Sequence, residues 1–122
     1  MHTYSFEKLE VWKESIQLSI KIYKITRNFP DDEKFGLISQ MRRSSISISS
    51  NIAEGAGRNS KKDFNNFLGI SHGSSCELGT QLIIAQRINF IDQVTLESML
   101  KEIDEIQKMN WSLKKSLKLT QD

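Results

Sequence analysis

The chain has 122 residues, of which 38% are hydrophobic and 26% are charged, and its net charge is +2. This length supports one sizeable core and not two, so residues 1–122 are predicted to form a single domain. The small net charge does not require a nucleic-acid partner, and a single cysteine excludes an internal disulfide. The sequence has neither a secretory signal nor a long apolar run, which predicts a cytoplasmic protein without a membrane span.

Glycine, proline and capping residues mark three predicted breaks between helices. Pro30 blocks the first helix, Gly55 is predicted as a left-handed C-cap of the second, and Ser60 and Asp92 are predicted N-caps of the third and fourth. The predicted helices cover about residues 7–28, 33–54, 61–87 and 93–118. Their similar lengths and short links predict an all-α protein, an antiparallel up-down-up-down four-helix bundle.

The first predicted helix has apolar residues on two opposite faces. Leu9, Trp12, Ile16, Ile20 and Tyr23 share one face. A corner helix of a bundle needs an apolar stripe of only about 100°, so a second apolar face predicts contact with another copy of the chain. The predicted oligomer interface consists of Val11, Leu18, Ile22, Ile25 and Phe29. The alternative is that residues 1–8, or a chain end, cover this face.

Small residues are concentrated in the second and third helices. If the chain folds back about Gly57, Ser45 lies opposite Gly69 and Met41 lies opposite Gly73. This pattern predicts a close approach of the two backbones, with serine hydroxyls bonded to carbonyls one turn back. A polar groove for a ligand is the alternative.

No enzyme chemistry is predicted from the titratable residues. The residue three positions before His72 is Gly69, so the Glu-x-x-His pairs of di-metal bundles are missing. Cys76 has no neighbouring motif that would make it a nucleophile, and a buried, inert thiol is predicted. We therefore predict no catalytic residue, no metal site and no cofactor.

Two clusters of charge require an interpretation. Free amides and cations lie near Gly55 and Gly57. They could bind the phosphate of a nucleotide, contact an RNA or DNA backbone as a basic tip of the bundle, or belong to a plain solvated loop. The candidate nucleic-acid-binding residues are Arg58, Lys61, Lys62, Lys114, Lys115 and Lys118.

Adjacent arginines in the middle of the second helix form the other cluster. They cannot both face water equally, so at least one is predicted to be partly buried and paired, with Glu54 and Glu77 as acceptors. The alternative is two solvated arginines. The predicted structural polar network consists of Arg42, Arg43, Asn51, Glu54 and Glu77.

Four segments together carry a family resemblance. They are Phe6-x-x-Leu9-x-Val11-Trp12, Gln40-Met41-Arg42-Arg43, Asn51-Ile52-Ala53-Glu54-Gly55 and Gly73-Ser74-x-x-Glu77-Leu78. They resemble the four-helix bundle family named after the 23S rRNA intervening sequence protein. The resemblance implies a short up-down-up-down bundle and brings no established catalytic residues.

The resemblance also implies an assembly. Some members of that family are encoded inside insertions within ribosomal RNA genes, and characterised relatives assemble as pentameric barrels. A similar bundle, the accessory protein of diversity-generating retroelements, binds nucleic acid through a basic surface. The expected function is therefore a non-catalytic homo-oligomer, a pentamer by resemblance, that associates with RNA or DNA as an accessory factor. The alternative is a protein–protein adaptor ring that binds no nucleic acid.

Overall fold

In the computed structural model, which describes residues 5–118, the chain forms four long helices and no strand within that range. The helices are α1 (Glu10–Thr26), α2 (Leu37–Ala56), α3 (Lys61–Arg87) and α4 (Gln93–Lys118). Short 3₁₀ turns at Phe6–Lys8 and Asp31–Glu33 precede α1 and α2. The predicted all-α fold with four helices is confirmed.

The first two helices begin later than predicted, whereas α3 and α4 have the predicted bounds. Leu9 has an extended backbone with φ −78° and ψ 126°, which separates the first 3₁₀ turn from α1. After Pro30, the acidic residues form their own 3₁₀ turn, and α2 begins only beyond Gly36. The Glu33 carboxylate accepts the Leu37 N–H at 3.1 Å and satisfies one of the free amides at this helix start.

Side-chain caps fix the starts of α3 and α4, as predicted. The Ser60 hydroxyl accepts the Asp63 N–H at 3.1 Å, and Asp92 Oδ1 accepts the Thr95 N–H at 2.8 Å. The prediction for Gly55 was wrong, because Gly55 lies inside α2 and no described glycine has a positive φ. The left-handed residue of the described chain is Asn89, with φ 67°, where α3 ends.

Contacts between neighbouring helices show that each pair runs antiparallel. Between α3 and α4, the Asn110 amide donates to the Leu68 carbonyl at 3.2 Å and the Gln107 amide donates to the Ser75 hydroxyl at 2.8 Å. From one contact to the next, the residue number on α4 decreases as the residue number on α3 increases, so the two helices run antiparallel. The α2–α3 pair behaves likewise.

The first helix closes the bundle by packing against both α2 and α4. Arg42 Nε of α2 donates to the Thr26 hydroxyl of α1 at 2.9 Å. Lys21 and Glu102 form an ion pair of 2.7 Å between α1 and α4, and the hydrogen bond to Glu102 raises the pKa of Lys21. Each helix thus has two neighbours, and α1 lies diagonally across the bundle from α3.

The register between α2 and α3 differs from the predicted one. The hydroxyls of Ser47 and Ser74 are 2.8 Å apart, which excludes the predicted pairs Ser45–Gly69 and Met41–Gly73. The reason is that α2 continues through Gly55, so the link centres beyond Gly57 and shifts every pair.

The core is apolar, and most of its buried hydroxyls are hydrogen-bonded, whereas Ser44 Oγ has no partner among the described residues. Three of the helices each contribute a residue with no exposed surface: Leu18 of α1, Ile48 of α2 and Leu68 of α3. On α2 the Ser45 hydroxyl donates to the Arg42 carbonyl at 2.9 Å, and on α3 the Ser74 hydroxyl donates to the Ile70 carbonyl at 3.2 Å, which confirms the predicted bonding to the preceding turn.

Candidate nucleic-acid interface

The antiparallel order brings two basic segments to one end of the bundle. The link from α2 to α3 carries Arg58, α3 begins with Lys61 and Lys62, and α4 ends nearby with Lys114 and Lys115. The Lys114 ammonium lies 3.4 Å from the position that a Cβ on Gly69 would occupy, so the end of α4 packs beside the first half of α3. We call this region the basic end. The side chain of Lys118 lies outside the described part of the structure.

The cations of the basic end differ in how much of their charge is available. Arg58 donates to Glu54 at 2.8 Å and lies over the Phe67 ring at 4.7 Å, so a carboxylate offsets its charge. Lys62 and Lys115 are exposed, whereas Lys61 and Lys114 are half-buried. Phosphate binding at this end would therefore depend more on the lysines than on Arg58.

The net charge of +2 is not spread evenly over the molecule. Beyond Glu105, the described part of α4 carries only cationic charged residues. The opposite end of the bundle, formed by the α1–α2 and α3–α4 links, carries the carboxylates of Asp31, Asp32, Glu33 and Asp92 beside the cations of Arg27, Lys34 and Arg87, so its charges nearly cancel. The fold thus converts a small net charge into a difference between the two ends.

An exposed tryptophan lies in the same region, and sequence reasoning missed it. Trp111 is 62% exposed and comes one turn before Lys114 and Lys115. The Lys115 ammonium lies 4.8 Å from the centre of the indole ring. The sequence signal for this exposure was the position of Trp111 directly after Asn110. Asn110 lies on the buried face of α4, and the next residue of a helix points about 100° away.

The predicted oligomer interface is corrected by the structure. Val11, Leu18, Ile22 and Phe29 are buried in the core of the single chain, and Ile25 packs against that core. These residues face the inside of the bundle, so they do not form a surface for a second copy. The opposite face of α1 is the more open one, since Ile20 and Tyr23 are exposed on it, while Phe6 packs against Trp12 at its beginning with ring centres 5.2 Å apart.

The open face of α1 forms an apolar groove with α2, which we call the α1–α2 groove. Its volume is about 550 Å³, and its lining includes Trp12, Ile16, Ile20, Tyr23 and Ile46. The side chain of Ile20 is 44% exposed although it is branched and apolar. An apolar concavity of this size is typical of a surface that receives a partner.

The five residues of the predicted polar network do not form one network. Arg42 is half-buried, which confirms the predicted burial, but it bonds to the Thr26 hydroxyl and stacks over the Tyr23 ring at 4.4 Å instead of pairing with a described carboxylate. Arg43 is exposed and donates to Gln40 at 2.7 Å.

The acceptors proposed for these arginines were wrong. Glu54 pairs with Arg58, and Glu77 is exposed on α3. Asn51 donates to the carbonyl and the hydroxyl of Ser47, at 2.8 and 3.0 Å. The physical reason is that neutral hydroxyl and carbonyl groups lie closer to the arginines than either carboxylate does.

The single thiol is exposed, contrary to the prediction of a buried one. Cys76 Sγ lies 3.6 Å from His72 Nε2, one turn earlier on α3. Among the described residues, no group of three or more His, Cys, Asp or Glu side chains is arranged to hold a metal ion. None of the helices in the described range has the length and hydropathy needed to cross a membrane.

The chain is similar to a known family and to solved structures. Residues 7–112 match the family model of the 23S rRNA-intervening sequence protein. The fold is similar to the crystal structure of a protein of unknown function from the S23 ribosomal protein family of Bacteroides thetaiotaomicron, with a TM-score of 0.80 and 28% identity. The match covers 86% of this chain and 95% of that chain. No curated protein matches.

Proposed function

The chain belongs to the 23S rRNA-intervening sequence protein family, and from that premise we propose that it is a non-catalytic bundle protein that assembles with copies of itself and associates with RNA or DNA. The observation that carries the proposal is the basic end, where the fold joins Lys62 of α3 to Lys114 and Lys115 of α4. The proposed compartment is the cytoplasm, because a protein with one exposed thiol is compatible with reducing conditions.

Phosphate binding at the basic end follows from simple electrostatics. A nucleic-acid backbone carries closely spaced negative charges, and lysines that neutralise them release condensed counterions. Exposed lysines such as Lys62 and Lys115 need no rearrangement of the core to make such contacts. The proposed binding is therefore weak, insensitive to base sequence and strongly dependent on salt.

Self-assembly is proposed through the α1–α2 groove rather than through the core face of α1. The proposed counterpart is a face of α3, which we call the ridge, where Ile70, Ile84 and Ile88 are exposed and share one side of the helix with Glu77. Because α3 lies diagonally across the bundle from α1, groove and ridge are different surfaces. A groove that receives the ridge of the next copy makes a heterologous contact, which gives a ring when the rotation between copies closes and an open filament when it does not. Five copies are proposed for the ring, on the resemblance to pentameric relatives.

The nucleic-acid part of the proposal is tested by retention of labelled RNA and DNA on filters across a salt series. The wild-type protein is expected to retain both at low salt, with affinity falling steeply as salt rises. A triple variant, Lys62→Gln, Lys114→Gln and Lys115→Gln, is expected to lose about two to three units from the slope of log affinity against log salt.

A matched variant removes three exposed cations elsewhere: Lys34→Gln, Arg87→Gln and Lys101→Gln. It has the same net charge as the first variant but keeps the basic end intact. A clear difference between the two variants supports the proposal. No retention by the wild-type protein at low salt, or equal losses in both variants, would overturn it.

A further inference from the structure

Trp111 lies on the side of α4 that faces α3, close to the basic end. Two residues one turn away on the same face of α4 establish this side: Gln107 donates to Ser75 of α3, and Lys114 reaches Gly69 of α3. The indole is 62% exposed, so it contributes little of its surface to the core. A large aromatic ring in this position is available to a partner from solution.

The surface of α3 beside this tryptophan carries little side-chain bulk. The antiparallel register that joins Leu68 to Asn110 places Gly69 at the height of Trp111 and Gly73 one turn further along α3. A Cβ added at Gly73 would meet no atom within 4 Å, and one added at Gly69 would meet only the ammonium of Lys114. The outer surface of α3 is therefore low at these two glycines, with the exposed His72 between them.

Cations flank the same indole. Lys115 lies over the ring at 4.8 Å, and Lys114 follows at the next position of the same turn. An aromatic ring that can stack a base, with cations beside it that can hold the adjoining phosphates, is the arrangement that binds single strands. Bases in a duplex are stacked on each other and are not free to stack on a protein side chain.

We propose that Trp111 stacks an unpaired base and that the basic end thereby binds single-stranded RNA or DNA more tightly than the corresponding duplex. This inference rests on the proposed function, since the lysines must first hold the backbone. Trp111 supplies the distinction between strand and duplex, whereas Lys114 and Lys115 supply attraction for both.

The chain contains two tryptophans, so the fluorescence of Trp111 is taken as the difference between the wild-type protein and Trp111→Phe, both of which keep Trp12. Both proteins are titrated at low salt with a short RNA strand of mixed sequence that cannot pair with itself, and separately with the duplex formed with its complement. We expect saturable quenching of Trp111 by the single strand and little quenching by the duplex.

A second variant, Trp111→Leu in the otherwise wild-type chain, removes stacking and keeps an apolar side chain. It is expected to weaken single-strand binding on the order of tenfold, measured by filter retention, and to leave duplex binding nearly unchanged. Trp111→Phe, which keeps an aromatic face, is expected to recover part of the loss. Light scattering checks that each variant keeps the mass of the wild-type protein.

Binding that depends on the lysines but is equal for strand and duplex, without quenching, would overturn the inference and leave the proposed function standing. A loss of assembly in Trp111→Leu would also overturn it, because the indole would then be a subunit contact. Failure of the wild-type protein to bind either nucleic acid at low salt would overturn the proposed function, and this inference with it.

Discussion

At the scale of single residues, Gly55 has the tightest surroundings of the glycines in α2 and α3. A Cβ at this position would lie 2.7 Å from Cβ of Phe67 and 2.9 Å from the Phe64 ring. Because Cβ of Phe67 is fixed to the backbone, a side chain at Gly55 would force α3 away from α2. The closest approach of these helices therefore depends on one missing side chain, next to the link that begins the basic end.

Substitution of this glycine is expected to destabilise the protein although alanine favours helix. Gly55→Ala should lower the free energy of unfolding by about 1–2 kcal/mol, because the overlap with Phe67 outweighs the gain in helix propensity. Urea unfolding followed by circular dichroism measures the change.

The matched control is Gly73→Ala on α3, where an added Cβ meets no atom within 4 Å. This change should raise the free energy of unfolding by about 0.5–1 kcal/mol, since only the helix preference changes. Equal effects of the two substitutions would contradict the close approach at Gly55.

The role of a residue could be predicted from the sequence where it depends on nearby residues of the chain. The prediction failed where contact with a neighbouring helix determines that role. The caps at Ser60 and Asp92 depend on amides within three residues, so the sequence identified them. In the sequence, Gly55 looks like a residue that ends a helix. In the structure, α2 continues past Gly55, which instead packs against α3. The exposure of Cys76 likewise depends on packing that no local pattern records.

At the scale of helices, the side-chain cap of α4 makes the start of that helix sensitive to pH. Hydrogen bonds from the Thr95 hydroxyl and the Thr95 N–H hold the pKa of Asp92 below its ordinary value of 3.8. A carboxyl group whose pKa is lower in the folded state stabilises that state above pH 3.8, and this contribution is lost as the pH falls through the lowered pKa.

Asp92→Asn tests this link, because asparagine is also a good N-cap but does not titrate. The difference in unfolding free energy between wild type and variant should be largest at neutral pH and should shrink as the pH falls below 3.8. Urea midpoints of both proteins across the acid range measure it. A difference that stays constant with pH would show that the charge of Asp92 does not contribute.

The orientation of a helix with two apolar faces was beyond the sequence. Periodicity identified both faces of α1 and the need for two partners, but it did not say which face meets the core. The structure buries Leu18 and Ile22 and leaves Ile20 and Tyr23 exposed, the reverse of the predicted interface. The orientation of α4 could be predicted, since this helix has a single apolar face. That apolar pattern did not identify Trp111 as an exposed residue.

At the scale of the whole molecule, three surfaces divide the outside of the bundle: the apolar α1–α2 groove, the ridge on α3 and the basic end. The sequence predicted the cations of the basic end because they cluster near predicted helix ends. It did not predict the groove, since a concavity arises only when two helices pack. The proposed assembly requires that the groove and the ridge act together.

A charge placed in the groove is expected to disrupt assembly without unfolding the chain. Ile20→Glu puts a carboxylate where apolar groups of the neighbouring copy would pack, and burying it unpaired is costly. Light scattering at micromolar concentration should show an oligomer for the wild type and a lower mass for the variant.

Val94→Glu is the matched control, because Val94 is 75% exposed in the first turn of α4, where a carboxylate is favourable. This variant should keep the mass of the wild-type protein. A monomeric wild type, or an oligomer that Ile20→Glu leaves intact, would remove the groove as the site of assembly.

The basic end has a further consequence for a ring of identical copies. Rotational symmetry carries every basic end to the same height and the same distance from the axis, so the ends form a closed circle of equivalent weak sites. A strand long enough to touch two of them binds the second at the high local concentration set by the first. Apparent affinity should therefore rise sharply once the strand spans neighbouring copies, and a shorter oligonucleotide should bind only with the strength of one site.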